Sequence, residues 1–86
     1  MTRFLVLCAC VLTVLTAPLP VAAQTLYSSQ DAAQAHCTND TVVWLNTRSD
    51  VYHFQGERWY GNTEEGAYVC EKEADTAGDR ATENGQ

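Results

Sequence analysis

The sequence predicts a small α+β domain in which an antiparallel β-hairpin or three-stranded sheet is flanked by two short helices and tied by one disulfide. Residues 41–45 are rich in β-branched and aromatic side chains and predict a strand. The alanine-rich residues 31–36 lie before that strand, and the charged residues 71–77 lie well after it; both segments favour helix. Cys37 and Cys70 adjoin these two helical segments.

Residues 1–23 have the order of regions that is typical of a secretory signal peptide. Arg3 supplies a positive charge ahead of an uncharged apolar run over residues 4–17, and Val21 and Ala23 place small residues before a cut at Gln24. The run is shorter than the roughly 20 residues that a membrane-spanning helix needs. We therefore expect a periplasmic or secreted protein with no membrane attachment after cleavage. An uncleaved anchor and lipidation at Cys10 are the alternatives.

Removal of the signal peptide changes the composition of the chain. The full sequence has 86 residues, 4 cysteines and a net charge of −6. Residues 24–86 retain all 11 acidic residues but only 4 basic ones, which makes this small acidic protein slightly more negative. A nucleic-acid partner is not expected, because such proteins neutralise phosphates with Lys and Arg.

The two cysteines that remain, Cys37 and Cys70, are expected to form a disulfide. Export places them in an oxidising compartment, where disulfides persist. A domain of this size buries only about 60% of its unfolded surface and benefits from a covalent link. Two free thiols, or two metal ligands, are the alternatives.

The remaining elements follow from local patterns. Ser28 or Ser29 is expected to cap the first helix, and Gly78 to end the second in a left-handed conformation. Residues 51–54 predict a second strand and residues 67–69 a short third one. Residues 24–78 are thus assigned to the domain, and residues 79–86 to a polar, flexible tail.

Between residues 43 and 80 the chain resembles a small bacterial family of exported proteins of unknown function. The resemblance implies a compact exported domain with no assigned activity. It is carried by a long, irregular set of residues: Val43, Trp44, Asn46, Thr47, Ser49, Val51, Tyr52, His53, Gly56, Tyr60, Gly61, Thr63, Gly66, Tyr68, Cys70, Glu71, Ala74, Gly78 and Arg80.

Part of the same pattern is more distantly similar to modules appended to secreted nuclease-like proteins and to the Ada-type metal-binding hairpin of DNA alkylation-repair proteins. The Ada-type hairpin uses four cysteines, and a cysteine often follows its Tyr-His pair. Phe54 stands at that place here. The resemblance therefore implies a hairpin-plus-helix architecture without the metal cysteines.

Two kinds of chemistry remain as alternatives. His36, Cys37, His53 and Cys70 are residue types that bind zinc, but their spacing lacks the paired-cysteine motif of zinc sites. His53 with Asp50, Glu57 or Glu71 would supply the general base of a small hydrolase. We expect neither a zinc site nor a hydrolase. The protein is therefore predicted to have no metal, no cofactor and no catalytic residue.

The aromatic residues suggest a different role. Trp59 and Tyr60 lie in a glycine-containing loop, where they either close the core or stay exposed. If exposed, Trp59 and Tyr60, with His53, form a candidate binding face for a glycan or peptide. We therefore predict a non-enzymatic interaction or structural module for an envelope or extracellular protein or glycan.

Overall fold

A computed structural model describes residues 24–86 as a four-stranded mixed sheet with two helices, which confirms the α+β class and adds one strand. The strand order is β3-β1-β2-β4; β1 pairs antiparallel with β2 and β3, and β2 pairs parallel with β4. The predicted signal peptide lies outside the described residues. The elements are α1 (Gln30–His36), β1 (Val42–Asn46), β2 (Val51–His53), β3 (Gly66–Cys70), α2 (Glu71–Ala77) and β4 (Arg80–Ala81).

Strand β1 lies inside the sheet, and its side chains alternate between two buried faces. Val43 and Leu45 pack in one cluster with Ala74 of α2, whereas Val42 packs in another with Ala33 of α1. The helices thus lie on opposite faces of the sheet, and this explains the continuous apolar run.

Side-chain oxygens accept from amides in the first turn of each helix, and a glycine ends α2. The Ser29 hydroxyl accepts a hydrogen bond from the Ala32 amide, so Ser29 rather than Ser28 caps α1. Helix α2 has no side-chain cap at Cys70; instead Asp40, in the turn after α1, accepts from the Lys72 amide at 2.9 Å. Gly78 ends α2 at φ 96°, as predicted.

Strand β4 lies within residues 79–86, the segment that the sequence predicts to be a polar, flexible tail. The Arg80 amide donates to the Asp50 carbonyl and the Thr82 amide to the Tyr52 carbonyl. The prediction omitted this strand because a two-residue polar segment carries no periodicity of its own. Backbone pairing with the edge of β2, and not side-chain pattern, places it in the sheet.

The Cys37–Cys70 disulfide is present, as predicted. It joins the end of α1 to the end of β3 with the two Cα atoms 5.5 Å apart, and both residues are 2% exposed. The segment before α1 lies along the outer edge of β3, where Tyr27 and Tyr68 exchange two backbone hydrogen bonds. Helix α1 is thus held to β3 at both ends.

Within residues 24–86, neither helix has the length and apolar character that crossing a membrane requires.

Candidate functional site

A groove of about 320 Å³ lies where β1 ends and the loop after β2 returns to the sheet. We call it the His53 groove. It is lined by one residue of β1, one of β2 and four of the loop over residues 54–65: Asn46, His53, Trp59, Asn62, Thr63 and Glu64.

His53 is held in the groove wall by its place in β2. It pairs with Trp44 across the antiparallel ladder, so both side chains leave the sheet on the same face as α1. The imidazole is buried, at 6% exposure, and its Nδ1 has no hydrogen-bond partner among the described residues. A buried polar atom without a partner costs about 1–3 kcal/mol, which is unusual in a native structure.

The loop that forms the rest of the groove is fixed by the sheet and α1 together. The Trp44 indole donates to the Thr63 hydroxyl at 2.8 Å, and that hydroxyl donates to the Glu65 carbonyl. The Tyr60 hydroxyl donates to the Gln30 side chain at 2.8 Å. Burial, and then the neighbouring Tyr68, raise the pKa of Tyr60. These contacts tie the loop to β1 and to α1.

Trp59 remains at the rim of the groove with 36% of its surface exposed. The Arg58 guanidinium lies 4.7 Å from the centre of the Trp59 ring, a cation–π contact. The Trp59 amide donates to the Gln86 carbonyl, so the end of the chain also positions this residue. The ring is thus an exposed aromatic surface on an anchored backbone.

The polar groups of the groove differ in how many hydrogen-bond donors and acceptors remain free for a ligand. The Thr63 hydroxyl already acts as both donor and acceptor, and the side-chain oxygen Oδ1 of Asn46 accepts from the Arg48 backbone amide. The Asn62 side chain is exposed. Glu64 makes an exposed ion pair with Arg48 at 3.5 Å, which water screens strongly. Amide groups and the imidazole therefore remain to bind a ligand.

The predicted binding face is divided by the structure. Trp59 and His53 meet in the groove, but Tyr60 lies under the loop against Tyr68, with ring centres 5.6 Å apart. Adjacent loop residues point in different directions here, one into the core and one outward. Asn46, Asn62, Thr63 and Glu64 were missed, because polar residues in turns look alike in a single sequence.

None of the three acids considered as partners of His53 is hydrogen-bonded to it within residues 24–86. The Glu57 carboxylate accepts from the Phe54 amide at 2.7 Å, and Asp50 is exposed in the turn between β1 and β2. Glu71 contacts the Tyr52 hydroxyl at 3.3 Å, and Tyr52 lies on the opposite face of the sheet from His53. His53 Nδ1 therefore lacks the carboxylate that would orient it as a general base.

The residues considered as zinc ligands also separate. His36 and Cys70 lie close together with Glu73, their ligand atoms within 4.8 Å of one another, while His53 lines the groove. Cys37 is bonded to Cys70. Glu73 was missed, although it follows Cys70 by three positions and lies one helical turn further along.

No family model, no curated protein and no solved structure matches this chain. The resemblance to exported bacterial proteins stays a prediction, and the function is inferred from the site alone.

Proposed function

We propose that the protein is an exported, non-enzymatic binding module whose His53 groove takes a short glycan. One observation carries the proposal: a buried histidine, whose Nδ1 has no partner in the described part of the chain, lines a groove that has an exposed tryptophan at its rim. Ligand sites combine a concave apolar surface with a few polar groups that set orientation.

The groove suits a sugar because it pairs a flat aromatic ring with amide and imidazole groups. A pyranose ring presents C–H bonds on its face and hydroxyl groups around its edge. The face would pack on Trp59, and the hydroxyl groups would bond to Asn62, Asn46 and His53.

Charge favours a neutral glycan over an acidic one. At the groove Glu64 is paired with Arg48, and Arg58 lies over Trp59, but the described part of the chain as a whole carries 11 acidic residues against 4 basic ones. A carboxylated or sulfated sugar would approach against this charge. The predicted export would place the groove where envelope and extracellular glycans are found.

The first prediction is that Trp59→Ala abolishes glycan binding while leaving the fold intact. An array of neutral and acidic oligosaccharides would be probed with the protein purified from an exporting host. For the sugars retained by the wild type, we expect at least a tenfold loss of affinity in the variant, which is about 1.4 kcal/mol of binding free energy. Changes in the Trp59 indole NMR signal would locate the sugar.

Leu26→Ala is the matched control, because Leu26 is also a large exposed apolar residue, at 53%, but lies outside the groove. It should bind as the wild type does. Loss of binding in both variants would indicate general adhesion. Failure of the wild type to retain any neutral sugar would reject the glycan, and retention of a peptide instead would change the class of ligand.

A further inference from the structure

We propose that reduction of the Cys37–Cys70 disulfide creates a zinc site from the two cysteine thiolates, His36 and Glu73. The proposal is independent of the groove, which lies elsewhere on the sheet. In the structure the disulfide occupies the position that the metal would take. The site is therefore closed in the oxidised protein and opens only when a dithiol reductant acts on it.

Three of the proposed ligand atoms, on His36, Glu73 and Cys70, already lie close together at the end of β3, and Cys37 is bonded to Cys70. His36 is the last residue of α1 and Glu73 is in the first turn of α2; their Nε2 and Oε2 atoms lie 2.7 Å apart. The Cys70 sulfur lies within 4.8 Å of both. In tetrahedral zinc sites the ligand atoms are about 3.3–3.8 Å apart, so only small side-chain movements are required.

The burial of these groups suits a metal that enters from solvent. The cysteines are 2% exposed, whereas the His36 and Glu73 side chains are 40% and 37% exposed. Zinc would reach the outer pair first and the sulfur atoms beneath it. Two thiolates, an imidazole and a carboxylate are all ligand types that zinc accepts.

Neighbouring groups already orient the two outer ligands. The His36 ring packs against Tyr27, with ring centres 5.5 Å apart. The Thr25 amide donates to Glu73 at 3.4 Å, which leaves the other carboxylate oxygen toward His36. Contacts of this kind hold metal ligands in place and raise affinity.

Formation of the site requires two reactants, a dithiol and a zinc ion. A dithiol transfers two electrons to the disulfide by thiol exchange: the Cys37–Cys70 sulfur bond breaks, two cysteine thiols form, and the dithiol becomes a cyclic disulfide. Zinc then replaces the proton on each thiol and releases both to solvent. The bonds from sulfur to zinc take over the link between α1 and β3.

The experiment compares metal binding by the oxidised and reduced protein. The protein would be purified from an exporting host, and one sample would be used in its oxidised form. A second sample would be reduced with a dithiol, and the reductant would then be removed under anaerobic conditions. We expect one tightly held zinc per reduced chain and none per oxidised chain, measured against a chromophoric chelator. Cobalt should give the thiolate charge-transfer and tetrahedral visible bands in the reduced protein alone.

His36→Gln and Glu73→Gln should each weaken zinc binding by the reduced protein at least tenfold. Glu65→Gln is the control, because Glu65 is an exposed acid at the opposite end of β3. Equal affinity in wild type and both ligand variants would overturn the proposal, as would tight binding by the oxidised protein. If the reduced chain unfolds, zinc should restore its circular dichroism; binding without refolding would also refute the site.

Discussion

Tyr52 and His53 are neighbours in β2, and both side chains are buried, but they differ in their hydrogen bonds. Tyr52 faces α2, where its hydroxyl donates to Asp75 at 2.6 Å. His53 faces the groove, and its Nδ1 has no partner among residues 24–86. A satisfied group stabilises the fold, whereas a buried unsatisfied one costs free energy. This contrast is why the groove, and not the Tyr52 face, is proposed to bind.

The second prediction concerns the pH dependence that Tyr52 gives the fold. Burial first, and then the hydrogen bond and negative charge of Asp75 with Glu71, raise its pKa well above the ordinary value of 10.0. A group whose pKa is higher in the folded state stabilises the fold fully below its unfolded pKa. That contribution is lost as the pH rises beyond about 10.

Tyr52→Phe should therefore lower stability by about 1–2 kcal/mol near neutral pH, because the hydrogen bond to a carboxylate is lost. Above about pH 10 the difference from the wild type should shrink, since ionisation of Tyr52 destabilises only the wild type. Urea unfolding at a series of pH values measures both effects. Stability curves that stay parallel to high pH would contradict the assignment.

At the level of single elements, β4 is held almost entirely by its backbone. It is two residues long, has one exposed and one half-buried side chain, and pairs with the outer edge of β2. Ala81 adds a small apolar contact to the cluster of Val43 and Leu45. Its pairing covers part of the β2 edge, which would otherwise present free N–H and C=O groups.

The third prediction follows from this pairing. The amide hydrogens of Arg80 and Thr82 donate to carbonyls on the β2 side and should exchange slowly with deuterated solvent. The amide of exposed Glu83, which follows the strand, serves as the comparison within the same segment. Hydrogen exchange measured by NMR would show protection at 80 and 82. Equally rapid exchange at all three positions would support the flexible tail instead.

At the scale of the whole molecule, the disulfide lies on the α1 face of the sheet, in the cluster that contains Ala33 and Val42. It joins α1 on one face of the sheet to the strand that leads directly into α2 on the other. The apolar residues are divided between two small clusters, one on each side of the sheet. Neither cluster is large, so a covalent link between α1 and β3 contributes a large share of the stability.

The fourth prediction is that breaking the disulfide lowers the stability by about 3–4 kcal/mol, from the entropy of a loop of this length in the unfolded chain. Urea unfolding with and without dithiol, in buffer free of metal, measures the difference. Serine at both cysteines provides a variant in which reductant should have no effect. A midpoint unchanged by reduction would show that the two clusters alone hold the fold.

Zinc should restore part of this loss in the reduced wild type, because a metal that binds only the folded state stabilises it by mass action. The serine variant cannot provide the thiolates and should not respond to zinc. This result would link the stability of the domain to the proposed metal site.

The elements with strong local signals could be predicted from the sequence. Residues 41–45 are β-branched, aromatic or aliphatic, which indicates a strand. Gly78 favours the left-handed conformation that ends a helix, and two cysteines remain after residue 23. Each of these signals is a property of nearby residues. By contrast, the separation of Trp59 from Tyr60 and the approach of Glu73 to His36 depend on contacts between distant segments. Short loops and two-residue strands carry no period from which to predict them.

By itself, the sequence determined the fold class, the helix ends and the cysteine pair, because backbone preference, burial pattern and composition act locally. Only the tertiary structure decided which side chains share a site. It turned one face of β2 toward the loop and left His53 Nδ1 without a hydrogen-bond partner among residues 24–86, in a groove with an exposed Trp59 at its rim. It also closed His36 and Glu73 around the disulfide, because packing two helices on opposite faces of one small sheet brings their ends together at the same edge.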